Sequence, residues 1–141
     1  NKHKIDTHAH VMLGCIGDTS ETIEHTIEFV KEVDPATASF GIFTPYPGTE
    51  VFNNVKNRYP EIADGTEADL TKLHVTGFFN HTFCELSKEE LEGYVKTAYR
   101  KFYFRPRYLS GRLLSIRTVD ELMRYMVAAT NIFSFGLSGK N

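Results

Sequence analysis

The order of sequence patterns predicts an α/β fold, with two successive parallel strand–helix units followed by C-terminal helices. Three observations carry this expectation. Apolar residues alternate over Ile5–Leu13, helical spacing follows a glycine turn, and the same strand–turn–helix order then repeats through Arg58.

In the first strand, Ile5, Thr7, Ala9, Val11 and Leu13 alternate with Asp6, His8, His10 and Met12, so one face is polar. Gly14 and Gly17 break the pattern. Asp18, Thr19 and Ser20 compete as N-caps, and Asp18 and Glu21 stand at capping-box spacing. Ile23, Ile27, Val30 and Val33 then mark a helix that Asp34-Pro35 ends. Ala36–Thr44 reads as the second strand. Pro45–Thr49, "PYPGT", is a turn whose prolines fix φ. A shorter helix runs from Thr49 to about Arg58, ahead of Pro60.

Pro60–Lys72 is polar and reads as a surface loop, and Leu73–Leu86 as a small hairpin or an irregular segment. Ser87-Lys88-Glu89-Glu90 is a capping box. Leu91, Tyr94, Val95, Ala98, Tyr99 and Phe102 recur at helical intervals until Arg105-Pro106. A short helix through Leu109–Ile116 follows. The last helix is capped at Thr118 and Glu121, with Leu122, Met123, Met126 and Val127 on its face. In a parallel layer of this kind ligands sit beyond the carboxyl ends of the strands, so both glycine-bearing turns fall on one edge.

Bulk properties narrow the function classes. The 141 residues are 41% hydrophobic with a net charge of −2, which fits one globular domain and offers no basic surface for nucleic acid. Apolar runs fall well short of the roughly 20 residues of a membrane span, and no signal-like h-region is present, so a cytoplasmic protein is expected. Cys15 and Cys84 are the only cysteines and form no Cys-x-x-Cys pair. Neither a disulfide framework nor a thiolate metal site is expected.

Val11–Phe52, "VMLGCIGDTSETIEHTIEFVKEVDPATASFGIFTPYPGTEVF", resembles the fifth and sixth strand–helix units of radical S-adenosylmethionine enzymes of the cobalamin-binding class. That pattern is M-L-G-L-P-G-E-T-x-E-T-I, then T-x-x-F, then P-Y-P-G-T. Met12, Leu13, Gly14, Gly17, Thr19, Glu21, Thr22, Ile23, Thr26, Phe29, Pro35, Phe40 and all of Pro45–Thr49 match it. "KFYFRPRYL", Lys101–Leu109, also resembles the tail of this class, which includes the anaerobic magnesium-protoporphyrin monomethyl ester cyclase.

The resemblance implies a partial (βα) barrel fragment, with residues 1–59 as its last two strand–helix units and 60–141 as a C-terminal loop and helical extension. It implies a parent enzyme, of oxidative cyclase or methyltransferase type, that uses S-adenosylmethionine, a 4Fe-4S cluster and possible cobalamin. The fragment alone is expected to be inactive. Its partners would be the remainder of the parent polypeptide and a small-molecule substrate.

By the same resemblance Met12, Gly14, Thr44, Pro45 and Tyr46 contribute the cofactor-binding wall. His8 and His10 read either as hydrogen-bonded residues of the strand's polar face with no chemistry or, as the resemblance implies, as contacts to substrate or cobalamin. Two departures accompany the match. Ile16 stands where the class has proline and Asp18 where it has glutamate, and no Cys-x-x-x-Cys-x-x-Cys run exists to hold the cluster.

Asp6-Thr7-His8-Ala9-His10 also resembles the His-x-His strand of amidohydrolase-type metal-dependent hydrolases, because two imidazoles at i, i+2 share a strand face. That site needs further ligands from a complete barrel of about 250 residues. Downstream of this pair the chain offers only His25, His74 and His81 as histidines, so no tight metal is expected. A third reading is a non-catalytic interaction module. Tyr94, Tyr99, Phe102, Tyr103 and Phe104 read as packing. Arg105 and Arg107 read either as a phosphate or carboxylate clamp or as a solvated helix end. The open edge of the first strand is expected to be covered by self-association into a homodimer or by Leu73–Leu86 folding back.

Overall fold

The computed structural model describes residues 6–60, 83–116, 118–120, 123, 126–127 and 130. Its elements are β1 (His8–Leu13), α1 (Ser20–Val33), β2 (Thr37–Ile42), α2 (Glu50–Arg58), α3 (Lys88–Tyr103) and α4 (Pro106–Ser115). β1 and β2 are parallel, with His8 opposite Thr37 and Leu13 opposite Ile42. Two parallel strands, each followed by a helix, and further C-terminal helices are therefore the architecture. The part of the expected hairpin up to residue 82 and most of the expected polar loop lie outside the described residues.

The alternation in β1 sorts its two faces as the sequence indicates. Ala9, Val11 and Leu13 turn into a core with Ala38, Phe40 and Ile42 of β2, and with Ile23, Ile27 and Val30 of α1. Leu91, Val95, Ala98 and Phe102 of α3 complete it. Burying side chains of this size stabilises by about 1.5–3 kcal/mol each, which is why short strands persist under two helices. A second cluster joins Phe52 and Val55 of α2 to Phe83, with Phe43 and Tyr59 at its margin.

Two strands leave two edges, and the edge of β2 is closed by aromatic hydroxyls. Tyr103 Oη accepts from the Ala38 N–H at 3.0 Å and donates to the Ala38 carbonyl at 2.6 Å. Tyr99 Oη accepts from the Phe40 N–H at 3.3 Å, and Tyr108 Oη donates to the Ala36 carbonyl at 3.0 Å. Arg112 also donates to the Ala36 carbonyl. Outward-pointing ladder groups that would template another strand are thus satisfied by side chains. Burial raises the Tyr103 phenol above its ordinary value, which keeps it neutral and able to donate.

Several expectations are corrected. Of the three competing N-caps of α1 Thr19 takes the position, and the capping box is Thr19–Thr22 rather than Asp18–Glu21. The Thr19 hydroxyl accepts from Thr22 N–H, and the Thr22 hydroxyl accepts from Thr19 N–H. Threonine at the third helical position replaces the glutamate of the usual box. Val33, expected on the buried face, is exposed. Among the described residues of the expected last helix, Met123, Met126 and Val127 are exposed too.

Arg105 is neither a ligand clamp nor a solvated end. Its guanidinium donates to the Lys31 carbonyl at 2.7 Å, the Phe102 carbonyl at 2.8 Å and the Asp34 carboxylate at 3.0 Å, with its carbon 4.5 Å from the Phe102 ring centre. The last carbonyls of two helices, which lack intrahelical donors, are thereby satisfied by one side chain. The carboxylate it grips is the chain's own.

Candidate functional site at the carboxyl edge of the parallel pair

Side chains that leave the core face of a strand must emerge on the other. His8, His10 and Met12 of β1 therefore stand beside Thr37, Ser39 and Gly41 of β2 on the face opposite α1 and α3. His8 Nδ1 lies 2.6 Å from Thr37 Oγ1 and His8 Nε2 lies 3.2 Å from Ser39 Oγ. Ser39 Oγ is also 2.8 Å from His10 Nδ1, and the two imidazoles meet edge to face at 4.3 Å. The serine hydroxyl thus ties both rings into one polar layer. Thr37 and Ser39 were missed by sequence reasoning. The period of two that puts Ala38, Phe40 and Ile42 inward was the signal that places them beside the histidines.

A bidentate metal site on this pair faces a specific obstacle. Each ring nitrogen of His8 is already within hydrogen-bond reach of a hydroxyl. His25 sits on α1, across the sheet from the polar layer, while His74 and His81 lie outside the described residues. Among the described residues no group of three or more His, Cys, Asp or Glu side chains could hold a metal ion.

Above the polar layer, both strands end in turns organised by one side chain each. After β1, the Asp18 carboxylate accepts from the Gly14 N–H at 2.9 Å and the Cys15 N–H at 2.8 Å through one oxygen, and from the Thr22 hydroxyl at 3.1 Å through the other. Asp18 N–H closes the same turn onto the Cys15 carbonyl at 2.9 Å. Charge-assisted bonds of this kind are about twice as strong as neutral ones. The turn therefore needs no proline at Ile16. Its backbone passes through positive φ at Gly14 (82°) and Gly17 (88°), a region that L side chains rarely occupy. After β2, the Thr49 hydroxyl donates to the Tyr46 carbonyl at 2.7 Å and accepts from the Phe52 N–H at 3.1 Å, which joins the turn to the start of α2.

The expected cofactor-wall residues divide into two sets. Gly14, Thr44 and Pro45 are buried; the Gly14 N–H is engaged by Asp18 and the Thr44 hydroxyl by the Ile42 carbonyl at 3.2 Å. Met12 and Tyr46 are exposed. Burial first, then the charge of Asp18 and the neighbouring Cys84, push the Cys15 thiol above its ordinary value, which makes it a poor thiolate ligand. No described helix is long and apolar enough to cross a membrane.

No family model matches the chain, and no solved structure matches it. Over 101 residues, which is 70% of the chain, it is 31% identical to a protein of Pyrococcus horikoshii named as an uncharacterized methyltransferase. The chain spans about a fifth of that relative's length. Its similarity is thus to part of a longer, methyltransferase-named protein.

Proposed function

We propose that this chain forms part of the cofactor- and substrate-facing wall of a longer S-adenosylmethionine-dependent enzyme, of the radical, cobalamin-binding class that its sequence resembles. The observation that carries this reading is one juxtaposition. Two ordered turns, Gly14–Asp18 and Pro45–Thr49, share the carboxyl edge of a parallel pair whose open face bears His8, His10, Thr37 and Ser39. Ligands of parallel α/β layers sit at that edge. The methyltransferase-named relative favours methyl transfer over oxidative cyclisation as the reaction type.

The residues fit a bound adenosyl group through their exposure. The exposed Met12 thioether near the end of β1 and the exposed Tyr46 ring on the turn that Thr49 fixes offer apolar surface for a flat base. S-adenosylmethionine, when bound, supplies a methyl group or an adenosyl fragment. Ser39 holds His8 and His10 at a set spacing, and the layer they form presents hydrogen-bonding groups to a polar substrate.

The chain's own residues do not fit a 4Fe-4S cluster. Such a centre needs three thiolates beside its open iron, and the sequence has two cysteines, of which Cys15 is held toward the thiol form. Anaerobic treatment with iron and sulfide, or with zinc, followed by desalting is expected to leave this chain with neither a visible cluster spectrum nor stoichiometric metal. A stable 4Fe-4S spectrum would overturn the assignment of the cluster to the rest of a longer polypeptide. Retained zinc that is lost in His8→Ala would favour the hydrolase.

A further inference from the structure

The polar side chains of β1 and β2 stand in single file. Thr37 Oγ1 meets His8 Nδ1 at 2.6 Å, His8 Nε2 meets Ser39 Oγ at 3.2 Å, and Ser39 Oγ meets His10 Nδ1 at 2.8 Å. The file runs along the strands, from Thr37 and His8 at the start of the pairing to Ser39 and His10 two positions closer to the carboxyl edge. Both nitrogens of His8 are engaged in it. Among the described residues His10 Nε2 has no hydrogen-bond partner, so it is the open end nearest that edge.

Each hydroxyl carries one hydrogen, and so does each neutral imidazole. In one direction Thr37 donates to His8 Nδ1, His8 Nε2 donates to Ser39, and Ser39 donates to His10 Nδ1. A hydrogen then remains on His10 Nε2. In the other direction His10 Nδ1 donates to Ser39, Ser39 donates to His8 Nε2, and His8 Nδ1 donates to Thr37. His10 Nε2 then presents a lone pair, and the Thr37 hydrogen faces water, since Thr37 is exposed. In either direction both rings carry their hydrogen on the same kind of nitrogen, because the serine accepts on one side and donates on the other.

We infer that Thr37, His8, Ser39 and His10 form a proton relay whose working end, His10 Nε2, is a general base for a substrate with a dissociable N–H or O–H at its reacting atom. In that step the substrate N–H or O–H bond breaks and an Nε2–H bond forms. The bonding pair stays on the substrate heteroatom, which becomes nucleophilic. His10 passes its Nδ1 hydrogen to Ser39, Ser39 passes its own to His8 Nε2, and His8 passes its Nδ1 hydrogen to Thr37, whose hydroxyl hydrogen leaves to solvent. Neither ring keeps a charge. Imidazole suits the task because it exchanges protons near neutral pH. Thr37, His8 and Ser39 act through His10 and are positioning residues.

The inference rests on reading this edge as a substrate-facing wall. Its test needs neither cofactor nor substrate, so either can fail alone.

The test uses the 141-residue chain with 15N-labelled histidine at about pH 8.5, where imidazole is neutral, and reads the hydrogen-bearing ring nitrogens from long-range 1H–15N correlations. His8 and His10 are expected to show the same fraction of the Nε2–H form. Thr37→Val is expected to change that fraction in both rings, although Thr37 contacts only His8. In a Ser39→Ala background the same substitution is expected to change His8 alone. Thr37 and Ser39 lie outside the core cluster, so these variants are expected to keep the fold. Diethyl pyrocarbonate, which acylates an imidazole lone pair, is expected to modify His10 at least about threefold faster than His8, since hydrogen bonds hold both nitrogens of His8 and one of His10. Unequal fractions in the two rings, a Thr37→Val effect that stops at His8 or that reaches His10 without Ser39, or His8 modified as fast as His10 would each overturn the inference.

Discussion

Gly14→Val is expected to lower the unfolding free energy by about 2–4 kcal/mol, because it meets two independent penalties. The backbone at Gly14 sits at φ 82°, where a Cβ crowds the following carbonyl, and a β-branched side chain fares worst. A Cβ at this position would also lie 2.8 Å from Leu91 Cδ1, inside a contact that is already closed. Gly17→Val carries only the first penalty, since at φ 88° a Cβ there would have nothing within 4 Å. Denaturant unfolding of both variants checks the separation: Gly14→Val should lose clearly more stability than Gly17→Val. Equal losses would mean that Leu91 does not pack under the turn.

Phe102→Ala is expected to cost about 3–5 kcal/mol, the range for deleting a buried aromatic. Phe102 is wholly buried, meets Phe40, Tyr103 and Tyr108 through ring contacts, and carries the Arg105 guanidinium on its face. Its loss opens a cavity and also loosens the residues that hold Tyr103 and Tyr108 against the edge of β2. Leu114→Ala, at a side chain 87% exposed, is expected to stay within about 0.5 kcal/mol of the parent chain. Calorimetry of the two variants gives the comparison. Similar Tm values would contradict the placement of α3 over the sheet.

Local patterns made much of this architecture legible. Alternation in Ile5–Leu13 gave the two faces of β1, although the strand itself begins at His8. The Ser87–Glu90 capping box and the repeat from Leu91 to Phe102 gave α3 and its buried row. Long-range polar closure was not legible. Tyr99 and Tyr103 read as part of an apolar stripe, because the partners of their hydroxyls lie 59 and 65 positions away in the chain. Arg105 was open to two readings for the same reason, with Lys31 and Asp34 more than 70 positions upstream.

The site was legible in its residue types and less so in its bonding. His8 and His10 were visible as a pair, but Ser39, which links them, belongs to the next strand. Asp18 was one of three competing helix caps, and its carboxylate holds the turn after β1 while the capping falls to Thr19. Phe29 and Val33, both exposed, showed the limit of periodicity. An apolar pair at helical spacing looks the same in sequence whether it is covered or open to solvent.

Photolabelling most directly tests whether the carboxyl edge of β1 and β2 receives S-adenosylmethionine. Protein from the intact reading frame would be irradiated with 8-azido-S-adenosylmethionine, with excess unlabelled S-adenosylmethionine as competitor, and the adducts mapped. The expected result is competed labelling at Met12 or Tyr46, the exposed residues of the two strand ends. Competed labelling confined to other parts of the protein, or none at all, would contradict the placement of the cofactor at this edge.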